Sequence, residues 1–152
     1  MTYQPYPGLL ARMHVILRIF QTAQILDKAA QRVFAPYELT AAQFNVLNLL
    51  ADQEAGLRAS DLAASLIVDP SNVTGLLKRM SRDGLVTDLE NTDDRRQRIV
   101  ALTPKGKKLW AKASRDYEAC LKTLGDLLND KERISTEAVL VRLLEKANEL
   151  PT

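Results

Sequence analysis

Between Asp69 and Gly106 the order of apolar and polar residues changes once, from a helical period to an alternating one. Val73, Leu76, Leu77 and Met80 fall at i, i+3, i+4 and i+7, which makes a single apolar stripe on a helix. The flanking residues set its ends. Asp69 is an N-cap type, Pro70 occupies the first helical position, where a missing amide hydrogen is harmless, and Gly84 supplies a left-handed stop. The pattern predicts a helix over about 70–83. Off its stripe lie Ser71, Asn72, Thr74, Gly75, Lys78, Arg79 and Arg82, a small, polar and basic face with no acid before Asp83. Alternation then takes over: Leu85, Thr87 and Leu89 are followed, past a polar turn, by Arg98, Val100 and Leu102 against Ile99 and Ala101. This predicts a hairpin over about 85–103 with its loop from Asn91 to Gln97. Asp93, Asp94, Arg95 and Arg96 give that loop too much charge for burial, so it reads as a solvent-exposed tip. Thr103 caps a further helix, with Pro104 at its first position.

The same reading extends to both sides. After an irregular lead with Pro5, Pro7 and Gly8, apolar positions from Leu9 through Met13, Ile16, Leu17 and Phe20 predict a helix to Phe34, ended by Pro36. At 1.5 Å per residue it is about 39 Å long, enough to extend past its own domain toward a partner. Thr40 and Gln43 form a capping-box pattern ahead of Phe44, Val46, Leu47, Leu49 and Leu50, a helix to about Asp52. Gly56 breaks it, and Leu57 and Arg58 make a short strand joining the hairpin. Ser60 is expected to cap a helix carrying Leu62, Ala63, Leu66 and Ile67, with Val68 and Asp69 as the turn. Beyond Gly106, Leu109, Ala113, Tyr117, Cys120 or Leu121, Leu124 and Leu128 describe a second long helix. Lys131 to Arg133 is expected as a charged break, and Ser135 as the start of a last helix with Val139, Leu140, Leu143, Leu144 and Ala147 on one stripe.

A compact helix, a small-residue crossing partner before it and a hairpin with a basic tip after it are the parts of a winged helix-turn-helix. The wording goes further. "DPSNVTGLLKRM", "GLV" and "DDRRQRIVALTPKG" strongly resemble the MarR family of bacterial transcription regulators, most specifically from Ser60 to Gly106. The expected fold is mainly α with a small β-hairpin wing: a single domain in which residues 40–106 form the winged helix-turn-helix. Helices at about 9–35 and 107–150 are expected to dimerise. The resemblance implies a sequence-specific regulator, a homodimeric repressor on a pseudo-palindromic operator, released by a small effector. Activation stays open, as does a winged-helix module that docks a protein instead of DNA.

Charge sharpens this picture modestly. The net charge of the 152 residues is +2, but residues 68–108 hold nine Lys or Arg against six Asp or Glu, net +3, so the excess sits on the expected reading head. One Cys and one His exclude a disulfide framework and argue against a Cys/His metal site. No cofactor is expected. Paired carboxylates, a nucleophile beside a base and a phosphate loop are all missing from the pattern, so an enzyme is not expected either. The start of the chain has no signal-peptide pattern, and no apolar run approaches the ~18 residues of a membrane span; a cytoplasmic protein follows as the expectation.

Ser71, Asn72, Thr74, Lys78 and Arg79 are the candidates for double-stranded DNA on the helix. Asn and Arg pair bidentately with adenine and guanine edges, whereas Lys78 suits phosphate. The resemblance places an Asp-x-Arg pattern on Asp94 and Arg96, with Arg95 between. It implies that Arg96 enters the minor groove and Asp94 holds its guanidinium; the alternative for Asp94 is a plain turn residue. The resemblance also implies a cleft for a small aromatic or anionic molecule, for which His14, Arg18, Tyr37, Trp110 and Tyr117 are candidates, the alternative being ordinary core and surface roles. Cys120, on an apolar stripe with no neighbouring base, reads as a structural thiol.

Overall fold

A computed structural model describes residues 9–66, 70–89 and 97–150. The chain divides after Arg115 into two compact units.

In the first unit, α1 (Leu9–Phe34) ends where Pro36 enters a 3₁₀ turn, Ala35–Tyr37. α2 (Ala41–Leu50) starts on the expected capping box: Thr40 Oγ1 accepts from the Gln43 amide at 3.2 Å and Gln43 Oε1 accepts from the Thr40 amide at 2.9 Å. The Phe34 and Phe44 rings stack with centroids 4.2 Å apart, joining α1 to α2 where both are buried. The expected short strand is present. β1 (Leu57–Arg58) pairs antiparallel with β3 (Ile99–Leu102), which also pairs with β2 (Val86–Leu89), giving the order β1-β3-β2. Gly56 turns into β1 with φ +72°, and a side chain there would stand 2.6 Å from the Val100 carbonyl oxygen.

α3 (Ala59–Ser65) corrects one expectation. Ser60 is not its cap: Arg58 holds the N-cap position without a side-chain bond, and Ser60 lies in the first turn, its hydroxyl 3.3 Å from Asp61 Oδ1. The Ala59 amide donates to the Arg98 carbonyl at 2.9 Å, so the residue just before β3 satisfies the helix's first amide. Ile67, Val68 and Asp69, the expected helix end, turn and cap, lie outside the described residues.

α4 (Pro70–Arg82) buries all four stripe residues, Val73, Leu76, Leu77 and Met80. Its end is a Schellman motif: the Gly84 amide donates to Ser81 O at 3.0 Å and the Leu85 amide to Met80 O at 2.9 Å, with Gly84 at φ +72°. Leu85 therefore belongs to the helix cap, and the strand alternation expected from it shifts. Val86 is the buried residue of β2 and Thr87 to Leu89 are exposed. α5 (Pro104–Gly125) begins at Thr103, whose hydroxyl accepts from the Gly106 amide at 3.0 Å and lies 2.6 Å from the Gly84 carbonyl, to which it donates.

The second unit takes the end of α5 together with α6 (Asp130–Asn148). The expected break at Lys131–Arg133 is instead the first turn of α6. Asn129 caps it in a second capping box, with Asn129 Oδ1 accepting from the Glu132 amide and Glu132 Oε2 from the Asn129 amide, both at 3.0 Å. Ser135 lies inside the helix, bonded back to the Glu132 carbonyl. No helix among the described residues is long and apolar enough to cross a membrane.

Candidate nucleic-acid interface

The buried stripe of α4 fixes which way its other residues point. Asn72, Thr74, Gly75, Lys78, Arg79 and Arg82 are all exposed. At about 100° per residue these positions form one arc opposite Val73 and Met80. Arg82 leans toward Asp83, Nε to Oδ1 3.4 Å, and both ends of that pair are well exposed. Lys78 and Arg79 enter no ion pair among the described residues. The helix thus presents amide, hydroxyl and cationic groups to solvent, the donor and acceptor types that read base edges and phosphates.

Two anchors on α5 hold this helix in place within the first unit. At its C-terminus Lys105 Nζ donates to the Asp83 carbonyl at 2.7 Å, placing a cation at the negative end of the helix dipole. The close approach of α5 at Gly106, which packs directly on the Leu85 carbonyl, is the second.

The wing strands stand beside α4. Asp88 of β2 and Arg98 at the root of β3 meet across the hairpin, Oδ1 to Nε 2.6 Å, on the face that Val86 and Val100 continue into the core. Nothing in the residue spacing singles out Asp88. Its diagonal relation to Arg98 needs the strand register, Asp88 opposite Val100, which spacing alone does not supply. The side chain of Ser71 and the tip residues Asp94, Arg95 and Arg96 lie outside the described residues.

The candidate effector residues fall into separate places. Tyr37 Oη donates to the Lys112 carbonyl on α5 at 3.4 Å, and Trp110 Nε1 donates to Asn48 Oδ1 of α2 at 3.1 Å, so both sit within the first unit, where the start of α5 passes the 3₁₀ turn and α2. His14 and Arg18 are exposed one turn apart on α1, with Arg18 bonded along its own helix to Gln21 at 3.1 Å. Tyr117 belongs to the second unit and is half-buried. A groove of about 420 Å³ lies elsewhere, on the second unit, among Leu128, Arg133, Glu137, Leu140, Val141 and Leu144. Cys120 is half-buried, not fully enclosed. Among the described residues no group of three or more His, Cys, Asp or Glu side chains is placed to hold a metal ion.

The profile of the MarR family matches residues 39–97, from the residue before the α2 cap into the wing. The uncharacterised HTH-type transcriptional regulator YfiV of Bacillus subtilis is 32% identical over 113 residues, covering 72% of this chain and 70% of that protein. The chain belongs to the MarR family. Another relative, the transcriptional activatory protein BadR of Rhodopseudomonas palustris, is 37% identical over 98 residues, 63% of this chain and 56% of BadR. The chain spans about half the length of the first curated relatives it matches. Among solved structures, Sco5413, a MarR family transcriptional regulator from Streptomyces coelicolor, superposes with a TM-score of 0.76 at 29% identity, over 95% of this chain and 100% of that one. The MarR relatives carry the names of transcriptional regulators and not of enzymes.

Proposed function

We propose that this chain is a homodimeric, sequence-specific transcription regulator that binds double-stranded DNA at a pseudo-palindromic operator. In this reading it is a repressor, released by a small aromatic or anionic effector. The observation that carries the reading is the division of α4 into a fully buried stripe and an exposed basic and polar arc, with the wing strands beside it.

In this reading α4 enters the major groove. Asn72, Thr74 and Arg79, with Ser71, address base edges, Lys78 meets phosphate, and Arg96 at the wing tip reaches the neighbouring minor groove with Asp94 and Arg95 beside it. Dimerisation is supported by apolar side chains left in solvent on both units. Met13, Leu17 and Phe20 of α1 are more than half exposed, as are Leu127, Ile134 and Leu144 of the second unit. A face of this kind on a lone chain is the mark of a surface that a partner covers. Two copies related by a two-fold axis would set their α4 helices about 34 Å apart, one turn of the duplex. The effector would lie near Tyr37 and Trp110, within the first unit beside the start of α5, so that its binding bears on the helix that anchors α4 through Lys105 and Gly106. Tyr117 and the pair His14 and Arg18 remain candidates for the same role.

Titration of a selected duplex with single variants tests the assignment. Asn72→Ala is expected to relax preference at one base position, a loss of roughly 1–3 kcal/mol. Lys78→Ala is expected to weaken all duplexes alike and to lower the salt slope by about one. Both variants binding like the parent chain would overturn the reading. A reporter placed behind the selected site tests the sign; BadR is named a transcriptional activatory protein.

A further inference from the structure

Gly75 lies on the exposed arc of α4, and among the described residues no packing contact there calls for a glycine. Glycine inside a helix is destabilising relative to alanine, through the extra chain entropy it loses on folding. It persists in helices where another element packs too closely for a Cβ. Here the reverse holds: among the described residues, a methyl group built on Gly75 would meet a single atom, Arg79 Nη1, at 3.9 Å, which is ordinary van der Waals distance. The contrast with Gly106, where a Cβ would collide with the Leu85 carbonyl, is within the same chain.

The position of this bare site is specific. Gly75 sits near the middle of the 13-residue helix and, at about 100° per residue, near the centre of the exposed arc. Ser71 and Arg79 lie one turn away on either side, and Asn72 and Lys78 roughly 60° to its two flanks. The buried residues Val73, Leu77 and Met80 occupy the opposite side. The centre of the arc is thus a shallow notch of naked backbone ringed by polar and cationic side chains. In a helix lying in a major groove, that is the point nearest the groove floor.

We propose that Gly75 is a specificity-determining residue: its missing side chain lets the backbone of α4 seat directly against the edge of a base, so that the flanking side chains reach theirs. The proposal rests on the DNA-binding reading of α4. The occupant it commits to is the floor of the major groove, on the strength of the cationic rim and the lack of any acid on α4 before Asp83. A side chain at 75 holds the helix off the floor and lengthens every base contact together.

The test is Gly75→Ala in the full chain, beside Lys78→Ala, on a duplex selected by the parent protein. Because the site is open and helical, Gly75→Ala is expected to raise Tm by roughly 2–4 °C. It is expected to weaken the selected duplex at least about tenfold and to change the preferred base facing the helix centre. The salt slope should stay unchanged, since no phosphate contact is removed. A purely structural role for Gly75 would move none of the base preferences. Gly75→Ala binding within about twofold of the parent while Lys78→Ala weakens would overturn the proposal and leave the DNA-binding reading intact. A fall in Tm would overturn it as well, by placing the need for glycine inside the protein. If neither variant changes binding, the reading of α4 fails and the proposal with it.

Discussion

Gly106→Ala is expected to be among the most damaging single-methyl additions in this chain, and its size follows from the junction it enters. The Leu85 carbonyl oxygen lies against the Gly106 Cα, where an added Cβ would collide with it and stand 3.0 Å from the carbonyl carbon. That oxygen cannot swing aside freely. It accepts from the Thr103 amide at 3.1 Å and lies 3.2 Å from the Thr103 hydroxyl, and its own residue closes the Schellman motif of α4. The obstacle is backbone on both sides, so the cost belongs at the upper end of the roughly 1–3 kcal/mol range for overpacking. Displacing one or two hydrogen bonds adds about 1 kcal/mol each. A destabilisation of about 4–5 kcal/mol corresponds in a chain of this size to a Tm lowered by roughly 8–20 °C. Thermal unfolding followed by circular dichroism, with urea titration to check it, measures this directly. A Tm within ~2 °C of the parent would refute the close approach of α5 to α4 on which the position of the reading head depends.

Phe34→Ala removes one ring of the Phe34–Phe44 stack at a site 1% exposed, and should cost about 3–5 kcal/mol in urea unfolding; under ~1 kcal/mol would contradict the packing of α1 on α2. Asp88→Ala breaks a partly exposed pair with Arg98, so stability should change by no more than about 1 kcal/mol, and a loss several times larger would mean the wing root is more enclosed than described. Arg96→Ala should weaken binding to every duplex and lower the salt slope by about one; unchanged affinity at low salt would remove Arg96 from the minor groove. Leu144→Asp, at an exposed apolar position of α6, should shift the mass measured by light scattering toward that of a single chain, and a parent protein already monomeric at micromolar concentration would remove the dimer.

Much of this architecture was readable because local chemistry and tertiary packing agree. Pro70, Gly84 and the four-residue stripe bound α4 from within its own sequence, and Thr40 with Gln43 opens α2 as its letters suggest. The misreadings occur where the partner of a group lies far along the chain. Ser60 looks like a cap, yet α3 starts one residue before it, at Ala59, whose amide is met by the carbonyl of Arg98, nearly forty residues on. Leu85 looks like the first inward residue of a strand, yet it closes the helix before it. At the head of α6 the error was of weighting. Charged residues at 131–133 suggested a break, although Asn129 and Glu132 carry the capping-box signal, and Arg133 pairs back to Asp130 at 2.8 Å. For the interface, α4 periodicity alone gave the exposed arc, while the Asp88–Arg98 pair and the open space at Gly75 required strand register and three-dimensional neighbours. The expected Asp94, Arg95 and Arg96 at the tip lie outside the described residues, and their role stays a proposal carried by their spacing.

The central claim is that α4 and the wing read a DNA sequence as a pair. Selection of bound duplexes from a random library, followed by titration of the winner against a scrambled duplex at physiological salt, tests it most directly. The account predicts a pseudo-palindrome with half-sites about one helical turn apart, bound at least ~10³-fold more tightly than the control. Equal and weak binding to every duplex would contradict it, leaving a winged helix whose basic face serves a protein partner instead.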